Sequence, residues 1–238
     1  MTPELQNLLY SRYPEFFIQH PWSASESCMA WGCAVHDGWF ALVDACAETI
    51  TGRAKQAGRR VSQVIQIKEK FGGLRIYIRP LDDFDFAATM CAEALSYWVC
   101  EVTGRPGRLT VDDGWYKTRC AKMARQYGAM FRSTMPRPSS RKYPSILAGA
   151  VEVPYGWRRL VDCMLGTISR MDKAPFTIER ITIADDSLVV FTKGPASDFS
   201  EGAIAFAKEV ARRTDQTTGA QHVPPISQNE GQHGSQLS

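Results

Sequence analysis

Apolar and polar residues alternate along this chain in two rhythms, and the same succession of rhythms comes round twice. Leu5, Leu8, Leu9 and Tyr13 recur at helical spacing behind Thr2-Pro3, a capping residue followed by a proline suited to a first turn. This predicts an amphipathic helix over 3–17. A short strand is expected over 29–35, and Asp37-Gly38 opens a helix reaching about residue 54. From 61 to 69 the period becomes two, with Val61, Gln63, Ile65 and Ile67 on one face. Gly72-Gly73 turns the chain, and Leu74, Ile76 and Ile78 face inward on the return over 74–79. Pro80 and the Asp82-Asp83 pair close the hairpin, and a helix follows over 84–100. The order is β-α-β-β-α.

That order returns after residue 147. Gly38-Trp39-Phe40-Ala41-Leu42-Val43-Asp44-Ala45-Cys46-Ala47-Glu48-Thr49-Ile50 lies over Gly156-Trp157-Arg158-Arg159-Leu160-Val161-Asp162-Cys163-Met164-Leu165-Gly166-Thr167-Ile168. Seven of these 13 positions are identical without a gap, where residue frequencies alone give on the order of one. Ile67 with Leu74-Arg75-Ile76-Tyr77 then matches Ile183 with Leu188-Val189-Val190-Phe191, and Asp85-Phe86 matches Asp198-Phe199. The offset drifts through turns, where deletions are tolerated. The expectation is an internal duplication. The shared Trp39 and Trp157 read as anchors of the strand–helix junction, and Asp44 and Asp162 as facing a neighbouring helix or solvent. The shared positions are fold determinants or, alternatively, a site common to both copies.

The predicted fold class is therefore α+β: two β-α-β-β-α modules related by duplication, with a ribbon-like insertion after the first. The first module, with its N-terminal helix and the insertion, spans 1–131. A basic, proline-bearing linker spans 132–147, the second module 148–216, and a disordered tail 217–238, rich in Gln, Ser, Gly and Pro and without an aromatic residue.

Composition narrows this little. The 238 residues are 44% hydrophobic and 22% charged, as in globular proteins generally. No apolar run approaches the roughly 18–20 residues that span a bilayer, and the N-terminus lacks a signal-peptide pattern, so a cytoplasmic protein without membrane contact is expected. Of seven cysteines, Cys46, Cys91 and Cys163 fall within apolar helical patterns and read as core. A net charge of +3 marks no partner by itself, but its distribution does. Residues 102–142 hold ten Lys or Arg against Asp112 and Asp113, with Trp115, Tyr116, Tyr127 and Phe131 interleaved.

Cys100-Glu101-Val102-Thr103-Gly104-Arg105-Pro106-Gly107 and Gly114-Trp115-Tyr116-Lys117-Thr118-Arg119-Cys120-Ala121-Lys122-Met123 add a further pattern. With Cys28-Met29-Ala30-Trp31-Gly32, Asp37-Gly38-Trp39 and Lys68-Glu69-Lys70-Phe71-Gly72-Gly73-Leu74-Arg75-Ile76-Tyr77, in that order, the chain resembles a family of uncharacterised phage, prophage and plasmid proteins. The resemblance covers roughly residues 8–125 and implies no established activity. In such relatives the last two segments look like a zinc ribbon with two ligand pairs. Here the first position of each pair survives as Cys100 and Cys120, while Thr103 and Met123 occupy the second. Two thiolates do not close a structural zinc site and Met is a poor zinc ligand, so a degenerate ribbon without metal is expected, and no cofactor. Cys28, Cys33 and His36 are too irregularly spaced to supply the missing ligands.

Phosphate-loop, nucleophile-elbow, zincin and dinucleotide motifs are all missing from the sequence. His36-Asp37 beside Cys33 can be drawn as a nucleophile–base pair, though adjacency near a turn explains it better. No catalytic residue is assigned, and an enzyme is the less favoured reading. The favoured one is a non-catalytic macromolecule-binding protein of mobile-element type, acting through a basic surface, for instance in antagonising a host defence. Its binding surface comprises Lys68, Lys70, Arg75, Tyr77, Arg79, Arg105, Arg108, Trp115, Lys117 and Arg119. The partner is an acidic host protein surface or nucleic acid. The alternatives are an enzyme or small-molecule binder with a pocket between the repeats, a nucleic-acid-binding accessory factor, and a scaffold with no discrete site. Oligomeric state is not legible.

Overall fold

The structure, a computed structural model, describes residues 1–127, 130–131, 142–172 and 175–225. Helix α1 (Pro3–Arg12) ends earlier than its apolar pattern predicts. Pro14 is the reason: the residue before a proline is pushed out of helical geometry, and Tyr13 leaves at φ −131°, ψ 59°. The strand expected over 29–35 is largely a 3-10 turn (Cys28–Trp31), whose Ser27 hydroxyl accepts from the Met29 N–H at 3.1 Å. Gly32, at φ +65°, breaks that turn, and only β1 (Cys33–Ala34) remains extended. A second 3-10 turn (Asp37–Trp39) leads into α2 (Phe40–Gln56).

Strand β2 (Gln63–Lys70) runs parallel to β1 and antiparallel to β3 (Gly73–Arg79). A bulge between Val64 and Gln66 shifts the alternation, which corrects the expected inner face: Val64 and Ile67 are buried, while Gln63 and Ile65 are only half-buried. Leu74, Ile76 and Ile78 face inward as predicted. Helix α3 (Asp83–Ser96) is capped by Asp82, whose carboxylate accepts from the Asp85 N–H at 2.8 Å. The segment after α3, the expected insertion, forms β4 (Arg108–Asp112), β5 (Trp115–Arg119), α4 (Ala121–Gln126) and β6 (Met130–Phe131), with β4 central in its sheet.

After residue 142 come a 3-10 turn (Tyr155–Trp157), α5 (Arg158–Met171), β7 (Thr177–Ala184), β8 (Ser187–Lys193) and α6 (Asp198–Arg212). Val151 bridges Ile181 in parallel, in the manner of Cys33 with Ile67. Hairpins β2–β3 and β7–β8 share one register at a constant offset of 114, from Gln63↔Arg79 and Thr177↔Lys193 to Lys70↔Gly73 and Ala184↔Ser187. Both bulge at the same place, and both turn on two positive-φ residues, Phe71-Gly72 and Asp185-Asp186. The sequence matches of the hairpin and second helix are thus corrected: Ile67 stands over Ile181, not Ile183, and Asp83-Phe84 over Asp198-Phe199.

Each leading helix buries an aspartate against a cation and a tyrosine. Asp44 takes Arg12 at 2.9 Å, the Tyr13 hydroxyl at 3.1 Å and Arg213 at 2.6 Å. Asp162 takes Lys142 at 3.0 Å and the Tyr143 hydroxyl at 2.8 Å. Neither carboxylate faces solvent, so of the two expected surroundings only the packed one holds. Trp39 and Trp157 are fully buried, and each indole N–H donates to a backbone carbonyl, of Val99 at 2.8 Å and Thr214 at 3.0 Å.

One hydrophobic core runs from Leu5 to Ala211 through both halves. Helices α2, α3, α5 and α6 pack together in it, and small residues let α3 and α6 approach closely. A Cβ added at Gly202 would stand 2.2 Å from the Phe84 carbonyl oxygen. Cys46, Cys91 and Cys163 lie in this core, where burial pushes their thiols up, Cys91 to about 12. Two boundaries shift. Tyr143, Ile146 and Leu147 are core residues, so the stretch from 142 belongs to the second half; residues 132–141 of the expected linker lie outside the described ones. The expected tail begins at Thr217, yet 217–225 is folded: the Gln221 N–H reaches the Gly104 carbonyl at 2.8 Å. Residues 226–238 also lie outside the described ones.

Candidate functional site

The ten residues expected to form a basic surface divide into two groups. Arg75 turns back to Glu93 at 3.1 Å and to the Tyr97 hydroxyl at 3.0 Å. Lys117 pairs with Glu69 at 2.7 Å. Arg119 is buried, with its guanidinium 4.3 Å from the Tyr127 ring centroid. Arg75 ties α3 to the first hairpin, Lys117 ties β5 to it, and Arg119 packs within its own segment, so these three are corrected from open surface to structural contacts. The carboxylates that hold Arg75 and Lys117 are distant in sequence and reach them only through the fold.

The other seven stay accessible. On the outer face of β2–β3, Lys68 sits 5.3 Å over the Tyr77 ring and Lys70 sits 5.5 Å over the Phe71 ring, with Arg79 exposed at the far end. Phe71 is 65% exposed because it occupies the tip of a two-residue turn at φ 54°. Gly72, beside it, packs on Leu109 and the Tyr116–Lys117 backbone, and its carbonyl accepts from the Thr118 hydroxyl at 2.6 Å. Trp115, 73% exposed at the start of β5, therefore flanks the same contact. Arg105 and Arg108 are exposed on the insertion. In the second hairpin the same positions hold Thr182, Ala184, Asp185, Val189 and Phe191, so Lys68 and Lys70 have no counterpart there, while Lys193 stands for Arg79 and Arg180 lies 4.5 Å over the Phe191 ring.

The four positions of the presumed ribbon do converge. Cys100, Cys120 and Met123 form one buried cluster, and the Thr103 hydroxyl donates to the Cys120 sulfur at 3.7 Å. Burial opposes a Cys120 thiolate, but hydrogen bonds from the Met123 N–H, Thr103, Cys100 and the Lys122 N–H outweigh it and lower its pKa. The chemistry present is two thiols, a hydroxyl and a thioether, a donor set unsuited to tetrahedral zinc. Among the described residues no group of three His, Cys, Asp or Glu is placed to hold a metal ion.

The loop itself is built around glycines. Gly104, at φ +70°, returns its N–H to the Cys100 carbonyl at 3.0 Å, and the Gly38 N–H binds the Glu101 carbonyl at 2.8 Å. A Cβ on Gly38 would meet the Cys100 oxygen at 2.2 Å. The same contacts recur at the end of α6: Gly219 to Asp215 at 2.9 Å, Gly156 to Gln216 at 2.8 Å, and a Gly156 Cβ 2.2 Å from the Asp215 oxygen.

Beneath the first loop lies a buried carboxyl. Glu101 is 1% exposed, and burial raises its pKa to about 7; Lys117 and Arg119 work against that shift and Glu69 with it. His36 is lowered by burial and by the positive N-terminus, Lys117 and Arg119. Cys33 is also buried, which pushes its thiol up to about 12, so the nucleophile–base pair drawn from Cys33 and His36-Asp37 has no thiolate to offer.

A cavity of about 670 Å³ opens between the insertion, the end of α3 and the second half. Arg108, Arg119, Arg158 and Arg159 line it, with Trp98 and Tyr155. Arg159 stacks 4.4 Å over the Trp98 ring and Arg158 lies 5.6 Å over Tyr155. Sequence reading singled out Arg108 and Arg119 but missed Arg158, Arg159 and Trp98. The signal was present: Arg158-Arg159 stands between two matched runs, where the first half has Phe40-Ala41, both buried. No family model, curated protein or solved structure matches the chain. Among the described residues no helix is long and apolar enough to cross a membrane.

Proposed function

We propose that this chain is a non-catalytic binding protein that engages an acidic macromolecule through the outer face of its first hairpin and the adjoining insertion. The observation that carries the reading is the seating of Lys68 and Lys70 over the exposed rings of Tyr77 and Phe71, at positions where the second hairpin holds Thr182 and Ala184. Exposed rings next to cations suit stacked bases and a phosphate backbone, which favours single-stranded nucleic acid over an acidic protein surface. We further infer that the two halves descend from one duplicated module. Common hairpin register, common bulges and the paired aspartate and tryptophan contacts support this. The insertion is then a ribbon whose metal has been replaced by hydrogen bonds to Cys120. A mobile-element origin, with a role against a host defence, rests on the motif order alone.

The test is binding of a labelled single-stranded oligonucleotide across a salt series, with Lys68→Glu/Lys70→Glu as the variant. Affinity falling linearly on logarithmic axes with salt, and lost in the variant, supports the reading. No binding at low salt removes the nucleic-acid version and leaves an acidic protein as the partner to be sought. Equal binding by the variant removes the hairpin face.

A further inference from the structure

We infer that the cavity between the two halves is a separate ligand site, and that it takes a nucleotide: a flat heterocycle carrying phosphate. Three observations point there independently of the hairpin face. The first is charge. Four arginines line the cavity and none of its lining residues is an Asp or Glu. Guanidinium forks match phosphate oxygens in bidentate geometry.

The second is substitution against the fold. Where α2 starts with Phe40 and Ala41, both buried, α5 starts with Arg158 exposed and Arg159 half-buried. Two cations have taken apolar positions at the start of a helix whose preceding residue, Trp157, supplies no side-chain cap. Cations there oppose the helix dipole. A bound anion meets both guanidiniums and offsets that opposition.

The third is the wall. Leu95, Val99, Val151, Val153 and Leu160 give the cavity an apolar side, with the Trp98 indole among them. A purely inorganic anion leaves that side unused. A volume of about 670 Å³ is in the usual range for organic ligands and exceeds what a phosphate ion fills. Arg159 already lies on Trp98, so a base can extend the same stack.

The experiment uses the full chain and four nucleoside diphosphates, ADP, GDP, CDP and UDP, titrated by calorimetry. Adenosine and inorganic pyrophosphate serve as half-ligands. At least one diphosphate is expected to bind saturably, each half-ligand at least tenfold more weakly, and Arg159→Ala is expected to weaken binding at least tenfold. Arg79→Glu, on the hairpin face, should leave it within twofold. Cys120 lines the cavity and Cys28 is exposed elsewhere, so the bound nucleotide should slow iodoacetamide alkylation of Cys120 several-fold and leave Cys28 unchanged; this arm needs no variant. The inference is overturned by no saturable binding of any diphosphate up to roughly 1 mM, the affinity of a marginal ligand. Pyrophosphate binding as tightly as the best diphosphate overturns it too, as does unchanged Cys120 alkylation. Loss of binding in Arg79→Glu would assign the nucleotide to the hairpin face instead.

Discussion

Asp44→Ala is the most informative single change in the scaffold. Its carboxylate joins three elements: Arg12 and Tyr13 at the end of α1, and Arg213 just beyond α6. The Asp44 side chain is 5% exposed and that of Arg213 18%. Burial lowers the Arg213 pKa, but the hydrogen bond and charge of Asp44, with help from Glu209, more than reverse this. Removing one partner of a buried pair costs about 3–5 kcal/mol, because the other charge stays desolvated. Arg213 keeps Glu209 at 2.9 Å, which puts the expected loss near the lower end, about 3 kcal/mol.

For a chain of this length that corresponds to a fall in Tm of about 6–12 °C. Asp162→Ala removes a pair whose lysine is 32% exposed and can swing into water, so its expected cost is about 1–2 kcal/mol. Urea denaturation of both variants, followed by far-UV circular dichroism, gives the comparison. A double-mutant cycle with Arg213→Ala isolates the pair. An Asp44→Ala loss below about 1 kcal/mol, or no larger than that of Asp162→Ala, would show that these aspartates are not fold determinants.

Three further outcomes follow from the geometry. Gly38→Ala and Gly156→Ala should each cost about 2–3 kcal/mol, since the new methyl meets a backbone carbonyl, whereas Gly52→Ala, with open space around it in α2, should stabilise by up to about 1 kcal/mol; urea midpoints decide. Glu101, held protonated to about pH 7 when folded but not when unfolded, binds the extra proton in the native state between its ordinary range and pH 7. Stability should therefore fall as pH rises through about 4.5 to 7, by at most about 3 kcal/mol, and Glu101→Gln should flatten that slope; an unchanged slope would sink the assignment. Thr103→Cys/Met123→Cys should gain one zinc per chain by elemental analysis, while the unchanged chain holds none in stoichiometric amount; failure of the double variant would mean that the loop is not a ribbon.

Much of the scaffold was legible because it depends on period and punctuation. Leu74, Ile76 and Ile78 alternate into the core, and Asp82 caps α3 as acidic turn residues do. The end of α1 was legible too, had Pro14 been weighed against the continuing apolar pattern of Phe16 and Phe17. The bulge at Val64 was not, because a one-residue shift leaves no trace in composition. Charge was the least legible quantity. Ten cations counted along residues 102–142 say nothing of Glu69, which lies 48 positions before its partner Lys117. Local counts measure what a segment carries, and the fold decides what it shows.

If the segment is the degenerate ribbon proposed above, the two glycine-cornered loops explain how it can do without metal. At the end of α6 the Asp215 carboxylate accepts from the Thr217 N–H at 3.1 Å, the Thr218 N–H at 2.6 Å and the Thr218 hydroxyl at 2.7 Å. At the end of α3 the Cys120 sulfur draws the Thr103 hydroxyl and the N–H groups of Lys122 and Met123. In both, an acceptor gathers the donors that hold the turn, the role a metal's ligands would otherwise share. The larger restraint lies outside the loop, in the indole N–H of Trp39 or Trp157 and the glycine that precedes it. On the proposed duplication, that restraint is the common inheritance. Thr103 then costs little stability, because the loop was already closed from the helix side. On that proposal the replacement changes the neighbourhood: a zinc-bound thiolate pair would be locked, whereas Cys120 is a hydrogen-bonded thiol on the wall of the arginine-lined cavity.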